Sequence, residues 1–418
     1  MQPEADNTAA EPTEPASLAA LARYFGWLGW TAFGGPAAHI AIMQEDLVTK
    51  RRWLTRQHFL DLLAASQLIP GPTSTELAIH TGYVKRGVAG LFVAGICFIL
   101  PAFAIVLLLS ILYVAYGSLP TVGALFYGIQ PVIVAIIIQA IERLARSAWR
   151  NWPERAIGIA AAGLALLLPI DPVLLILGGG MIGVALQQRS AASVASLVLI
   201  PGVATATLIQ PGLWELGLFF LKVGATLMGS GYVLIAYLEN DVVGVGWMSS
   251  RQLIDAIAVG QMTPGPLFST AAFVGYVIQA GPQGDIAAGV LGAIICAMAI
   301  FLPSFVFVWV SGPWVEKLRH APAMRAFLDG VNAAVVGTMI ATTLTLLRAA
   351  LINLPQPIWA VPLGSWMIDL PALAILLVAT GLLLPKKAAN PTLLIVLGAL
   401  LGVVLVWGRD LIGAGALT

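Results

Sequence analysis

Residues 67–72 read Gln-Leu-Ile-Pro-Gly-Pro, and residues 261–266 read Gln-Met-Thr-Pro-Gly-Pro. Each copy breaks an apolar stretch, 57–84 in the first case and 251–277 in the second. Proline lacks a backbone donor and fixes φ, so neither stretch runs as one regular helix. Working outward, Glu45, Trp53, Asp61 and Pro72 have their counterparts 194 positions later, at Glu239, Trp247, Asp255 and Pro266, without a gap. Upstream, Phe33-Gly34-Gly35 matches Met228-Gly229-Ser230; downstream, Gly82-Tyr83-Val84 matches Gly275-Tyr276-Val277. Pro101 and Gln130 pair with Pro303 and Asn332, each 202 positions on. So many matches in one order mark an internal duplication, which in transporters puts the binding site at the interface between the repeats.

The solvent of the fold follows from composition. Of 418 residues, 59% are hydrophobic and 10% charged, with a formal net charge of +1. A soluble domain carries about 25% charged residues, so lipid must solvate most of this chain. The small net charge gives no field for nucleic acid. Cys97 and Cys296 sit in apolar runs and read as small buried side chains, not as a disulfide. Residues 1–17, with four acids, three prolines and no Lys or Arg, read as a disordered acidic tail. They lack the basic start and apolar core of a signal peptide.

A spanning helix takes about 20 apolar residues. Candidate spans run approximately over 21–43, 87–116, 121–141, 154–170 and 172–186, and again over 213–237, 286–310, 326–347, 371–384 and 391–407. Placement of Lys and Arg orients them, because short cytoplasmic loops retain these residues. Lys50, Arg51, Arg52 and Arg56 precede the first broken stretch, Lys85 and Arg86 follow it, and 143–155 is basic, whereas 116–120 is uncharged. In the second half the signs reverse: Glu239 and Asp241 precede the broken stretch, no Lys or Arg lies in 279–285, and Lys317, Arg319 and Arg325 stand where the uncharged loop was.

The expected fold is therefore an all-α polytopic membrane protein. It has two inverted-topology repeats, each of about five transmembrane helices plus a re-entrant helical hairpin turning at Pro-Gly-Pro; a kinked spanning helix is the other reading of each broken stretch. The repeats take 18–188 and 213–418, joined by a non-crossing linker at 189–212, and both chain ends fall outside the cell. The oligomeric state is left open, a homodimer included.

Non-helical backbone at membrane depth belongs inside protein or beside a cavity. Helix starts after each Pro-Gly-Pro present N–H groups with no intrahelical partner and a positive partial charge, which suits an anion. Candidate substrate residues are thus Gly34, Gly35, Pro70, Gly71, Thr73, Ser74 and Thr75 in the first half, and Gly229, Ser230, Pro264 and Gly265 in the second. The second copy has Leu267 and Phe268 where the first has Thr73 and Ser74. Lys222 is a candidate positive charge, with snorkelling to the interface as the bland alternative. Glu76 either carries a coupling proton or strengthens the start of its short helix. Gln130 and Asn332 either bind substrate or join neighbouring helices, and His39 and His80 read as structural. Hydrolase, metalloprotease and nucleotide-binding motifs are absent from the sequence, so neither an enzyme nor a cofactor is expected.

The doubled Phe-Gly-Gly/Met-Gly-Ser segments followed by Gln-x-x-Pro-Gly-Pro resemble the chromate ion transporter family in its long two-domain form, from about residue 21 onward. The resemblance implies export of chromate across the cytoplasmic membrane, coupled to protons or to sulfate exchange. Sulfate, another tetrahedral dianion, is the natural competitor as substrate. An anion channel, a sulfate-type importer and a membrane-embedded enzyme using Asp61, Glu76 or Asp255 are the alternatives.

Overall fold

The structure, a computed structural model, describes residues 16–187, 211–229, 231–311, 321–352, 354, 357–385 and 389–415. Fifteen α-helices are described: α1 Leu18–Thr31, α2 Gly35–Gln44, α3 Arg56–Ser66, α4 Thr73–Tyr116, α5 Pro120–Ala148, α6 Trp152–Leu167, α7 Pro172–Gln187, α8 Leu213–Thr226, α9 Leu234–Leu238, α10 Ser250–Met262, α11 Thr270–Ala280, α12 Ile286–Ser311, α13 Pro322–Leu351, α14 Leu370–Leu383 and α15 Pro391–Gly415. A two-stranded antiparallel hairpin, Ala360–Leu363 with Trp366–Asp369, precedes α14. Among the described residues five helices are long and apolar enough to cross a bilayer: α4, α5, α12, α13 and most of α15. The protein is thus a helical, multi-pass membrane protein. The other expected spans form shorter helices, α6 and α7 of 16 residues each and α14 of 14.

Two of the expected spans do not cross. A straight helix would hold Tyr24 and Arg51 ~40 Å apart, at 1.5 Å per residue. Instead the Arg51 guanidinium lies 4.9 Å from the Tyr24 ring centre. The chain turns back at Gly34 and Gly35, both with positive φ (103° and 77°), and returns as α2 and a π-helical turn at Glu45–Lys50. The second half repeats this. Lys222 and Asp241 would be ~28 Å apart on one helix, yet Lys222 Nζ is 2.8 Å from Asp241 Oδ2, and the turn falls at Gly229 (φ 89°). Stretches 21–43 and 213–237 are therefore helical hairpins, because a glycine corner can fold two half-length apolar helices against each other. The hydrophobic length is the same either way.

That correction also sets where α1 begins. Arg86 Nε donates to Ala16 O at 2.7 Å, so α1 begins beside Arg86, at the end of the fold that carries the basic loops and not at the opposite one. Ala16 is buried and Ser17 caps α1 through Ala20 N, so the acidic tail ends before residue 16; the rest of it lies outside the described residues. The proposed linker at 189–212 also lies outside them, save Pro211 and Gly212.

The Pro-Gly-Pro stretches fold back as well. Residues on both sides of the first one, Arg51 and Arg86, lie against the first turns of α1. The second is flanked by Asp255 and Gly284, which meet Tyr113 and Val114 of α4. Helix α4 is itself kinked at Arg86 and Gly87, where φ/ψ leave the helical region, and Gly82 and Gly90 pack backbone to backbone across the kink. Gly275 of α11 and Gly292 of α12 make the same contact in the second half. Lipid gives helices no hydrophobic reason to associate, so close approach at small residues supplies the packing. Gly179 and Gly183 against Gly330, and Gly128 against Gly398 and Gly402, extend that pattern to α7–α13 and α5–α15.

Candidate functional site

The breaks in the four hairpins meet, and they meet crosswise. Gly71 N, in the first Pro-Gly-Pro, donates to Leu227 O at the second-half glycine corner (2.8 Å). Gly265 N, in the second Pro-Gly-Pro, donates to Ala32 O at the first-half glycine corner (2.9 Å). The two amides at the centre of the corners are thus satisfied by protein carbonyls. The first turns of α4 and of the helix after Pro266 still begin there, with the N–H groups that no helix can satisfy internally.

Each corner also rests on the long helix of the other half. A Cβ on Gly71 (φ 138°) would meet the Glu76 carboxylate and, at 2.5 Å, Ser304 Oγ of α12. One on Gly265 (φ 93°) would meet Ala102 Cβ of α4 at 2.9 Å and Gly29 O at 3.3 Å. Both positions need glycine for its positive φ and for the close approach. Ser304 follows Pro303, and Ala102 follows its counterpart Pro101. Each of these prolines lies inside its helix, where it removes one backbone hydrogen bond.

Polar chemistry gathers at the first corner. Thr73 is partly exposed, whereas Ser74, Thr75 and Glu76 are buried. Glu76 turns back over the corner, one oxygen 3.4 Å from Ser304 Oγ. Its other oxygen, and Thr75 Oγ1, have no hydrogen-bond partner among the described residues. Burying an ionised carboxylate with so few partners costs several kcal/mol. Ser74 Oγ lies 3.3 Å from His39 Nδ1, and His39 Nε2 lies 3.1 Å from Ala32 O. At the second corner Phe268 takes the place of Ser74 and packs near Phe301, and Thr270 takes the place of Glu76 and bonds to Leu267 O.

The remaining candidates scatter. Pro70 lies in the first corner, and Pro264 is buried in the second. Gly34 and Gly35 form the turn between α1 and α2. Ser230 lies outside the described residues. Asn332 Oδ1 lies against Gly229, so it lines a glycine corner. Gln130 does not reach a corner: its amide donates to Asp255 Oδ1 at 2.9 Å, while Tyr113 donates to Oδ2 at 2.9 Å. Lys222 is also committed elsewhere, to Asp171 at 2.6 Å and Asp241 at 2.8 Å. Its partners lie 51 positions back and 19 ahead, so the pairing depends on the turn at Gly229 and on where α6 meets α7.

Ser304 was not singled out from the sequence, whereas His39, expected to be structural, has partners on both ring nitrogens. The offset that pairs Pro101 with Pro303 leads directly to Ala102 and Ser304, and that polar difference at a matched position was the available signal. His39 carried none, since its partners are a backbone carbonyl and a serine 35 positions away.

Comparison with known proteins finds one family in both halves of the chain. The chromate transporter family matches the chain over residues 19–184 and 214–403. A probable chromate transport protein of Synechococcus elongatus is 32% identical over 390 residues, covering 90% of this chain and 92% of that protein. A chromate transport protein of Cupriavidus metallidurans is 31% identical over 386 residues, 89% of each, and one of Pseudomonas aeruginosa is 33% identical over 342 residues, 78% of this chain and 80% of that protein. No solved structure matches the chain. With both halves matched and relatives aligned over most of their length, this chain belongs to the chromate transporter family, a family of transporters and not of enzymes.

Proposed function

We propose that the protein is a secondary transporter that exports chromate, or a closely related divalent oxyanion, across the cytoplasmic membrane. The observation that carries the reading is the crossed pair of hydrogen bonds, Gly71 to Leu227 and Gly265 to Ala32, which joins each Pro-Gly-Pro break to the glycine corner of the other half. Relatives named as chromate transport proteins favour chromate as cargo. In this reading residues 18–188 and 213–418 are inverted repeats. What supports the inversion is that α1 runs alongside the long arm of α4 from the basic end, with Arg86 at Ala16 and Pro101 at Gly29, whereas α8 runs alongside α12 from the opposite end, with Ile295 at Gly217 and Ile300 at Gly224.

The oxyanion binds at the first corner, on the N–H groups of Thr73 and Ser74 and the hydroxyls of Thr73, Ser74 and Thr75; the Thr75 amide already donates to Pro72 O. An anion at a helix N-terminus gains both hydrogen bonds and the favourable end of the helix dipole. Glu76 is the coupling group: as a carboxylate it repels the oxyanion, and as a carboxylic acid it admits it, so a proton accompanies the anion. Donors at fixed distances bind chromate and sulfate alike, because both are tetrahedral dianions.

Uptake of chromate by inverted membrane vesicles tests this. The double variant Thr73→Ala/Ser74→Ala should cut uptake about tenfold or more, the worth of one to two charge-assisted hydrogen bonds, with protein still present in the membrane. Glu76→Gln, read in the same vesicles with a pH-sensitive dye, should retain anion flux and lose proton movement. Undiminished uptake by the double variant would refute the assigned site.

A further inference from the structure

His39 touches both corners at once. Its Nε2 shares Ala32 O with the Gly265 amide of the second corner, and its Nδ1 meets Ser74 Oγ in the first turn after the first corner. A carbonyl oxygen can only accept, so Nε2 carries the hydrogen. In the neutral ring Nδ1 is then an acceptor, and the Ser74 hydroxyl must donate to it. The hydroxyl that should face an anion is therefore spent on the imidazole. A protonated ring has hydrogens on both nitrogens. Nδ1 would then donate to Ser74 Oγ, and the serine hydrogen would be released toward the start of α4.

We propose that His39 is a positioning residue of the transport site, one whose protonation hands the Ser74 hydroxyl from the imidazole to the bound oxyanion while holding the two corners in register. The inference rests on the reading of the first corner as the oxyanion site. The link exists in one half only, since the positions 194 residues on from His39 and Ser74 hold Val233 and Phe268. The ring is buried, with Phe98 edge-on at 5.6 Å. The titratable groups on the elements packed around it turn elsewhere. On α4, Glu76 faces Ser304 of α12 and His80 lies nearly two turns on. On α1 and the π-helical turn after α2, Arg23, Tyr24, Asp46, Lys50 and Arg51 gather in a separate pocket. Protonation of His39 thus adds a positive charge one hydrogen bond from the serine, with no neighbouring acid to neutralise it in contact.

The test is the KM for chromate uptake by inverted vesicles, compared between wild type and His39→Gln. Glutamine keeps a donor for Ala32 O but is uncharged at any pH. Chromate and Glu76 can titrate too, so the quantity read is the ratio of the two KM values, in which those contributions cancel. The ratio of variant to wild type should rise about tenfold from about pH 6 to about pH 4, because burial without an acid in contact holds the imidazole below the ordinary histidine range. A ratio that stays constant across the range overturns the proposal, because a merely structural histidine would weaken binding equally at every pH. Should His39→Gln fail to reach the membrane, Ser74→Ala serves. Its KM should exceed that of wild type throughout, and by about tenfold more at about pH 4 than at about pH 6, because only the charged ring releases the hydroxyl to the anion; a loss equal at every pH overturns the proposal. Absence of chromate uptake by the wild type overturns the functional reading and this inference together, whereas uptake with a constant ratio overturns this inference alone.

Discussion

Gly71 lies against a serine hydroxyl and a glutamate carboxylate; Gly265, 194 positions later, lies against an alanine methyl and a backbone carbonyl. The backbone geometry of the two corners is alike: positive φ at the glycine, an amide bond to the opposite glycine corner, and a proline-bearing helix behind. The side chains are not. Ser74, Glu76 and Ser304 in one become Phe268, Thr270 and Ala102 in the other. Duplication has kept what shapes the break and divided what surrounds it. One corner retains a carboxyl and two serine hydroxyls at these positions, and the other a threonine among packing side chains.

The sharpest way to break this comparison is to put the same methyl group at both corners. An alanine at either position pays ~1–2 kcal/mol for the left-handed backbone, and the surroundings then decide the outcome. At Gly265 the nearest atoms are a Cβ and a backbone oxygen, which cannot step aside, so Gly265→Ala should lose most folded protein. The double variant with Ala102→Gly should recover part of it. At Gly71 the methyl displaces the ends of two side chains, so Gly71→Ala should reach the membrane and transport little or nothing. Thermal unfolding in detergent and vesicle uptake together read the difference. Equal loss of folded protein from both variants would sink the division of labour between the corners.

A second contrast lies one helix back. Helices α3 and α10 occupy matched positions, yet Asp61 of α3 is partly exposed and bonds to Gln57 of the same helix. Asp255 of α10 is buried, holding the amide of Gln130 and the hydroxyl of Tyr113 from α5 and α4. Asp255→Ala should destabilise the protein by ~2–5 kcal/mol, since it leaves two buried donors unpaired at about 1–3 kcal/mol each. Asp61→Ala, on a surface, should fall within about 0.5 kcal/mol of wild type. Similar shifts in unfolding temperature for the two would show that α10 is no more tightly held than α3.

How much of this was legible in the sequence depends on how local each feature is. Pro-Gly-Pro, the glycine corners and the duplication lie in single stretches or at one fixed offset, so they could be read directly, and with them the membrane class and the family. The reversal at Gly34 and Gly35 could not, because hydropathy measures apolar length and is blind to a fold-back within it. That single miss placed the start of α1 at the end opposite Arg86. The role of Ser304 was equally hidden: it acts on Gly71, in the other half of the chain, and only the packing of α12 against the first corner brings them together. Gln130 was recognised as a matched polar residue inside a span, but which acid it would meet depended on how α10 lies against α5.

Lys222 gives the smallest and most discriminating effect. Read along the sequence, it is a lone positive charge one turn before a glycine break, well placed to attract a dianion. In the fold its ammonium sits between Asp171 and Asp241, and the group as a whole carries one excess negative charge. A dianion gains nothing from such a cluster. Lys222→Met should therefore leave the KM for chromate unchanged. It should lower stability by no more than ~1 kcal/mol, because the pair is partly exposed and water screens it. Removing one acid as well, in Lys222→Met/Asp241→Asn, should return part of that loss by relieving two carboxylates left facing each other. A KM raised about tenfold by Lys222→Met alone would mean that the lysine leaves its acids during transport, one charge-assisted contact being worth about that much. The oxyanion would then meet the second half as well as the first, and the contrast between the corners would describe only the state seen here.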